Sequence, residues 1–273
     1  MSLISEKKNA CLHLTINRPD RGNSIDPPTI VRLRKAILNA QSDEQVKVIA
    51  LSGSGDRDFT TGIDISSVMR FPIDGIRNLA NTTGDIASLL FYGKPSIVAL
   101  NGRTMGMGVV FAAAADYRLI LQGSKVSMPE VNIPAFPGAS CIAIMTRVCG
   151  TAWARRILML GLPIDNNDAI NANIADEIVP SQADLSKRIE QVSEVLAEKD
   201  HVVIKAIKLA VNNGLDLKYM DVLRLESKLA DFFVWDSASE RFSELIDDFK
   251  IQYQLTGDPN QLMEDYRENY LEN

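Results

Sequence analysis

Asn101-Gly102-Arg103-Thr104-Met105-Gly106-Met107-Gly108, followed without a polar interruption by Val109-Val110-Phe111-Ala112-Ala113-Ala114-Ala115, is the stretch whose reading decides the fold. Glycines ahead of a run of small apolar residues describe a tight turn into a helix buried on every side. The first amides of such a helix have no acceptor inside it and lie at its positive end. The Met107 amide is therefore well placed to polarise a carbonyl oxygen. Tight packing and anion stabilisation are equally open readings of this stretch by itself. A dinucleotide fingerprint fits poorly, because the spacing of Gly102, Gly106 and Gly108 is not GxGxxG.

Outward from this turn, Ser96 to Leu100 and Tyr117 to Leu121 are rich in β-formers, and Cys11 to Asn17 and Val46 to Ser52 read as two earlier strands. Asp26-Pro27-Pro28 opens a helix through about Ala40, with Asp26 as its cap. Strand and helix alternate, which predicts an α/β unit. Beyond Thr151 the pattern is helical over Trp153 to Leu160, Asp165 to Ala172, Leu185 to Ala197, Val203 to Asn212 and Lys218 to Phe233, with a short strand from Asp176 to Val179. Residues 1–198 are read as the core and 199–273 as a helical C-terminal region. Its apolar face, with Leu223, Leu225, Leu229, Phe232, Phe233, Val234 and Trp235, calls for cover by a subunit interface or by a fold-back. The tail from Gln252 to Asn273 is polar and acidic, and Ser66 to Leu90 yields no element.

The chain has 273 residues, 46% of them hydrophobic, enough to fill a sizeable core. Its formal charge of -6 argues against a nucleic-acid partner, which requires a basic face. No apolar run is long enough for a membrane span, the stretch Met1 to Lys8 lacks the apolar centre of a signal peptide, and Leu271 to Asn273 is not a peroxisomal address. The expected compartment is the cytoplasm. Cys11, Cys141 and Cys149 have no paired spacing and read as buried, reduced thiols. With His13 and His201 as the only histidines, neither a histidine metal site nor a histidine triad is expected. Carboxylates and backbone amides must carry any chemistry.

Two further segments qualify. In Asp58-Phe59-Thr60-Thr61-Gly62-Ile63-Asp64-Ile65 a glycine after a strand turns the backbone so that the Ile63 amide can point into a cleft. In Met128-Pro129-Glu130-Val131-Asn132-Ile133-Pro134-Ala135-Phe136-Pro137-Gly138 a single acid stands among apolar residues, which favours its neutral form and raises its pKa toward the range useful for proton transfer. A surface or helix-capping glutamate is the alternative.

Taken together, the segments resemble the enoyl-CoA hydratase/isomerase (crotonase) family. The resemblance runs from about Cys11 to Val179 through Ile16-Asn17-Arg18-Pro19 with Asn23, Phe59 to Ile65, Lys94-Pro95, Ala99 to Gly108, Asp116-Tyr117-Arg118, Pro129-Glu130, Pro137-Gly138 and Gly150. It implies an α/β, crotonase-like spiral of ββα turns, followed by a helical C-terminal oligomerisation region that forms trimers, often paired as hexamers. It also implies a coenzyme A thioester as substrate, no permanently bound cofactor, and a thioester oxygen held by the amides of Ile63 and Met107. Thr61, Gly62, Ile65, Gly106, Val110 and Gly138 fall beside these as substrate-binding candidates, and Arg21 and Asn23 near the adenosine end. Asp64 joins them as a candidate acid, although capping of the following helix is its favoured reading.

Hydratases of this family use two glutamates, and the first of these positions is Val110 here. Only Glu130 remains. Activating water while protonating the neighbouring carbon suits two acids, whereas moving a double bond from the 3 to the 2 position needs one group that takes a proton and returns it. The dienoyl isomerase pattern requires acids at Val110 and Gly138 and is absent. The resemblance thus implies a 3-enoyl-CoA to 2-enoyl-CoA isomerase with Glu130 as sole base. An atypical hydratase, a decarboxylase or thioester hydrolase, and a non-catalytic acyl-CoA-binding protein are the alternatives. Met69, Phe71 and Phe136 are candidate pocket walls.

Overall fold

The structure, a computed structural model, describes residues 2–133 and 135–231. Phe232, Phe233, Val234, Trp235 and the tail from Gln252 to Asn273 lie outside them. Two strands, β1 (Leu3–Lys8) and β2 (Cys11–Ile16), form an antiparallel hairpin. Helix α1 (Pro27–Ser42) starts where expected: Asp26 caps it by accepting the Thr29 amide, and Ile30, Leu33 and Ile37 face inward at helical spacing.

Three turns of a spiral follow, each made of a long strand, a short strand and helix. The long strands are β3 (Val48–Gly53), β5 (Ser96–Leu100) and β7 (Tyr117–Leu121), and their short partners are β4 (Asp58–Thr60), β6 (Arg103–Met105) and β8 (Val126–Ser127). Helices α2 (Ile65–Val68) and α3 (Ile73–Tyr92) close the first turn and α4 (Met107–Ala114) the second. The third passes through a 3-10 turn, Pro129–Asn132, into α5 (Cys141–Leu160), which breaks at Gly150. Then come α6 (Asn166–Asn171), β9 (Glu177–Val179), α7 (Gln182–Glu198) and α8 (His201–Gly214). The chain divides into two compact units, Met1–Leu215 and Asp216–Asn273, and α9 (Tyr219–Asp231) belongs to the second.

The strands sort into two sheets. One has the order β1-β2-β3-β5-β7-β9 and the other β4-β6-β8, and apart from the β1-β2 hairpin every pairing is parallel. Parallel sheets are stable when both faces are covered. Here one face of the larger sheet packs on the main core around α4, all eight of whose residues are buried, and α7 covers the other through Leu185 and Ile189. The fold is the ββα spiral that the resemblance implied.

Differences from the sequence reading have local causes. Strand β1 escapes it because only Leu3 of its six residues is buried, which leaves no alternation to detect. Helix α3 buries Ile86, Ala87 and Leu90, but Gly75, Gly84, Thr82 and Thr83 lower its intrinsic propensity. Helix α5 begins at Cys141, well before Trp153, because the expected start fell beyond the break at Gly150. All three cysteines are buried and free. Among the described residues no helix is long and apolar enough to cross a membrane.

The ends of β3 and β5 are tied by Asn101, a fully buried side chain that accepts the Gly53 amide at 2.9 Å and donates to the carbonyls of Gly53 and Gly55 at 2.9 and 2.8 Å. Asn101→Ala strands these buried groups. It is expected to lower the unfolding free energy by about 2 to 4 kcal/mol in a urea titration. A loss below about 0.5 kcal/mol, the range of an ordinary surface change, would show that the tie does not hold the turn.

Candidate active site

Each spiral turn delivers one polar group just where the chain leaves its short strand: Ile63 after β4, Met107 after β6 and Glu130 after β8. The short strands are parallel neighbours, paired through Thr60 with Thr104 and Met105 with Ser127. Neighbouring exits are thus separated by about one strand spacing, roughly 4.8 Å.

Backbone geometry aims the amides. Gly62, at φ +86°, turns the chain, and Ile25 brackets the turn by donating to the Gly62 carbonyl at 2.8 Å and accepting from the Asp64 amide at 3.0 Å. The Ile63 N–H between them has no protein acceptor among the described residues. Gly106, at φ +54°, caps α4 and donates to the Ser127 carbonyl, which leaves the Met107 N–H at the helix start equally free. A Cβ on Gly62 would stand 3.5 Å from the Met107 nitrogen, and one on Gly106 would stand 2.9 Å from Glu130 Oε1. The two glycines therefore keep open the space that the two amides and the carboxylate share.

That space is a cleft of about 350 Å³ with walls from α1, α3, the 61–65 strap and residues of the stretches 128–133 and 135–141. Glu130 is its only carboxylate among the described residues. Its Oε2 is buried without a hydrogen bond, and burial pushes its carboxyl above the ordinary glutamate range against a smaller opposing backbone hydrogen bond. Cys141 also lines the cleft, but burial first, and then the neighbouring Glu130 charge, push its thiol up to about 12. It stays neutral and makes a poor nucleophile.

Thr61, Gly62, Ile65, Gly106, Val110 and Gly138 line the same cleft, as does Phe136. Met69 and Phe71 do not. Arg21 and Asn23 also lie off the cleft lining. Arg21 is exposed, whereas Asn23 is fully buried: it accepts the Arg18 amide and donates to the carbonyls of Ser54 and Asp58. Both amide hydrogens and the oxygen of Asn23 are engaged, so its work is to shape the loop rather than to touch a ligand. Asp64 is likewise committed. It caps α2, accepts from the Ser66 hydroxyl and pairs with Arg18. The Ser66 hydrogen bond first, then those of Arg18 and Ser67, hold its carboxyl at about 2 despite burial, which excludes it as a proton donor near neutrality. Lys94 donates from its side chain to the carbonyls of Asp43 and Val46, so its charge is spent on the scaffold. The α3 wall, with Ile76 and Leu79, was hidden with the helix itself.

The enoyl-CoA hydratase/isomerase family model matches residues 6–249. Among similar proteins, crotonyl-CoA hydratase of Syntrophomonas wolfei is 25% identical over 233 residues, 85% of this chain and 88% of that protein. Short-chain-enoyl-CoA hydratase of Clostridium acetobutylicum is 24% identical over 253 residues, 92% and 97% of the two chains. The crystal structure of an enoyl-CoA hydratase from Bacillus anthracis superimposes with a TM-score of 0.84 at 18% identity, covering 94% of this chain and 98% of that one.

Burial of Glu130 has a consequence for stability. Because its pKa is raised on folding, the folded chain holds the proton more tightly than the unfolded one. The ionised carboxylate then costs stability above the unfolded-state pKa, and the cost vanishes as pH falls below it. Glu130→Gln is expected to melt above the wild type at about pH 7, with the difference shrinking toward about pH 4. Calorimetry showing the same offset at both pH values would contradict this.

Proposed function

This chain belongs to the enoyl-CoA hydratase/isomerase family, and on that premise we propose that it moves the double bond of a 3-enoyl-CoA thioester to the 2 position, with Glu130 carrying the proton. As a family member it is an acyl-CoA enzyme acting on coenzyme A thioesters. The observation that carries the finer reading is the single carboxylate lining the cleft among the described residues.

In this reading the thioester oxygen accepts from the Ile63 and Met107 amides. Glu130, ionised, removes a proton from C2 and becomes neutral as negative charge moves onto the oxygen. Two amides already in position stabilise that enolate with no reorganisation; losing one typically costs about 3 to 4 kcal/mol. Glu130 then returns the proton at C4, and the double bond settles in conjugation with the carbonyl. Apolar surroundings favour both halves of the cycle, since they make the carboxylate a stronger base and strengthen the hydrogen bonds to oxygen. Val110, 1% exposed and lining the cleft, offers no second acid to activate water.

Hydration of a 2-enoyl-CoA is the second reading, favoured by the similar proteins that carry hydratase names. Purified wild type and Glu130→Gln, assayed with 3-enoyl-CoA and 2-enoyl-CoA side by side, separate the two. The wild type is expected to isomerise the 3-enoyl ester, and the variant to lose roughly 10²- to 10⁴-fold of that rate. Hydration of the 2-enoyl ester alone would overturn the isomerase in favour of the second reading. Tight acyl-CoA binding without either turnover would point to binding without catalysis.

A further inference from the structure

The loop after β2 carries an arginine that this chemistry does not use. Arg18 lies 46 residues from Asp64 in sequence, yet its Nη2 donates to Asp64 Oδ2 at 3.1 Å and stands 3.3 Å from Asp26 Oδ2. Its Nη1 donates to the Ser24 carbonyl and, at 3.2 Å, to the Ser24 hydroxyl. The side chains of Arg18, Asp26 and Asp64 are 17%, 20% and 13% exposed, so the pairs are only partly screened by water.

What the guanidinium grips is the frame of the Ile63 amide. Ile25 brackets that amide, through the Gly62 carbonyl and the Asp64 N–H. Ser24 and Asp26 are the residues on either side of Ile25, and Asp64 is the residue after Ile63. One planar fork therefore holds both strands of the small bridge that sets the direction of the Ile63 N–H.

We propose that Arg18 is a positioning residue for the oxyanion hole, clamping Ser24, Asp26 and Asp64 so that the Ile63 amide points at the thioester oxygen. The inference rests on the reading of that amide as an oxyanion donor. Several acceptors in different directions call for a guanidinium; a lysine offers a single compact charge and reaches one or two of them. Asp64 remains ionised far below neutrality, so the clamp stays closed across the working pH range.

The test uses the full chain with Arg18→Met, Arg18→Lys, Asp64→Asn and the double variant Arg18→Met with Asp64→Asn. Asp64→Asn keeps an acceptor oxygen for the α2 cap while removing the charge that faces Arg18. Three readouts are taken: steady-state kinetics on 3-enoyl-CoA, melting temperature, and the infrared carbonyl stretch of bound butyryl-CoA isotopically labelled at its carbonyl. Misdirecting one donor should cost less than deleting it, so kcat is expected to fall about 10- to 100-fold with KM within about threefold. The bound carbonyl frequency should move back toward its free value in Arg18→Met and Asp64→Asn and recover in part in Arg18→Lys. The double variant should be no slower than the slower single one, because both break the same clamp.

Folded variants with wild-type kcat and wild-type carbonyl frequency would overturn the proposal. If Arg18→Met does not fold, Asp64→Asn decides by the same two readouts. A wild type that fails to turn over 3-enoyl-CoA would sink the isomerase reading alone, since the carbonyl frequency still reports whether Arg18 directs the amide.

Discussion

Parallel pairing of β4, β6 and β8 is the constraint on which the rest of the molecule depends. Each strand has two or three residues and makes few hydrogen bonds, yet each is the exit of one spiral turn. Parallel register places the three exits side by side and on the same end. Without it, Ile63, Met107 and Glu130 would lie on separate turns, up to 67 residues apart in sequence. The long strands of the larger sheet provide the framework, and Asn101 and the buried Asn23 lock the crossings between long and short strands. The placement of the site groups is inherited from this framework, which suits groups that must be in place before charge develops.

The apolar character of the cleft acts on both partners in the proposed chemistry. It surrounds the two amides with apolar side chains and desolvates Glu130. A carboxylate that is expensive to ionise is a stronger base and is readily neutral after taking a proton, so one group can both remove and return it. The cost appears as stability lost to the ionised side chain, an instance of strain held at a functional site and offset elsewhere. Polar residues near the strap are used differently: Asp64 and Arg18 neutralise each other and keep their charges directed at the scaffold.

Much of the fold was legible because its long elements carry clear periodicity. β2, β3, β5, β7 and α1 follow from alternation, apolar runs and the Asp26 cap. The helix after Gly106 is legible for a different reason, since glycines followed by small apolar residues permit little else. Elements of two or three residues, β4, β6 and β8, have no period to detect and are set by tertiary pairing. The α3 wall was lost to its glycines and threonines. At the site, Gly62 and Gly106 mark in sequence the turns after which the Ile63 and Met107 amides stand without a protein acceptor among the described residues, and Asp64 takes the capping place favoured for it, while the identical appearance of a ligand-binding and a scaffold residue in sequence explains Asn23. Only the hydrogen-bond partners separate those roles. Arg18 was visible in Ile16-Asn17-Arg18-Pro19, but its acceptor Asp64 lies in another spiral turn and no local pattern links them.

The central claim is that one carboxylate moves the same proton between two carbons beneath the amide pair. The most direct measurement is the fate of deuterium placed at C2 of a 3-enoyl-CoA during a single turnover in ordinary water, read by mass spectrometry and NMR of the product. Glu130 acting as sole carrier predicts that a measurable share of the label appears at C4. Product carrying only solvent hydrogen at C4, formed at the same rate by Glu130→Gln, would contradict the account.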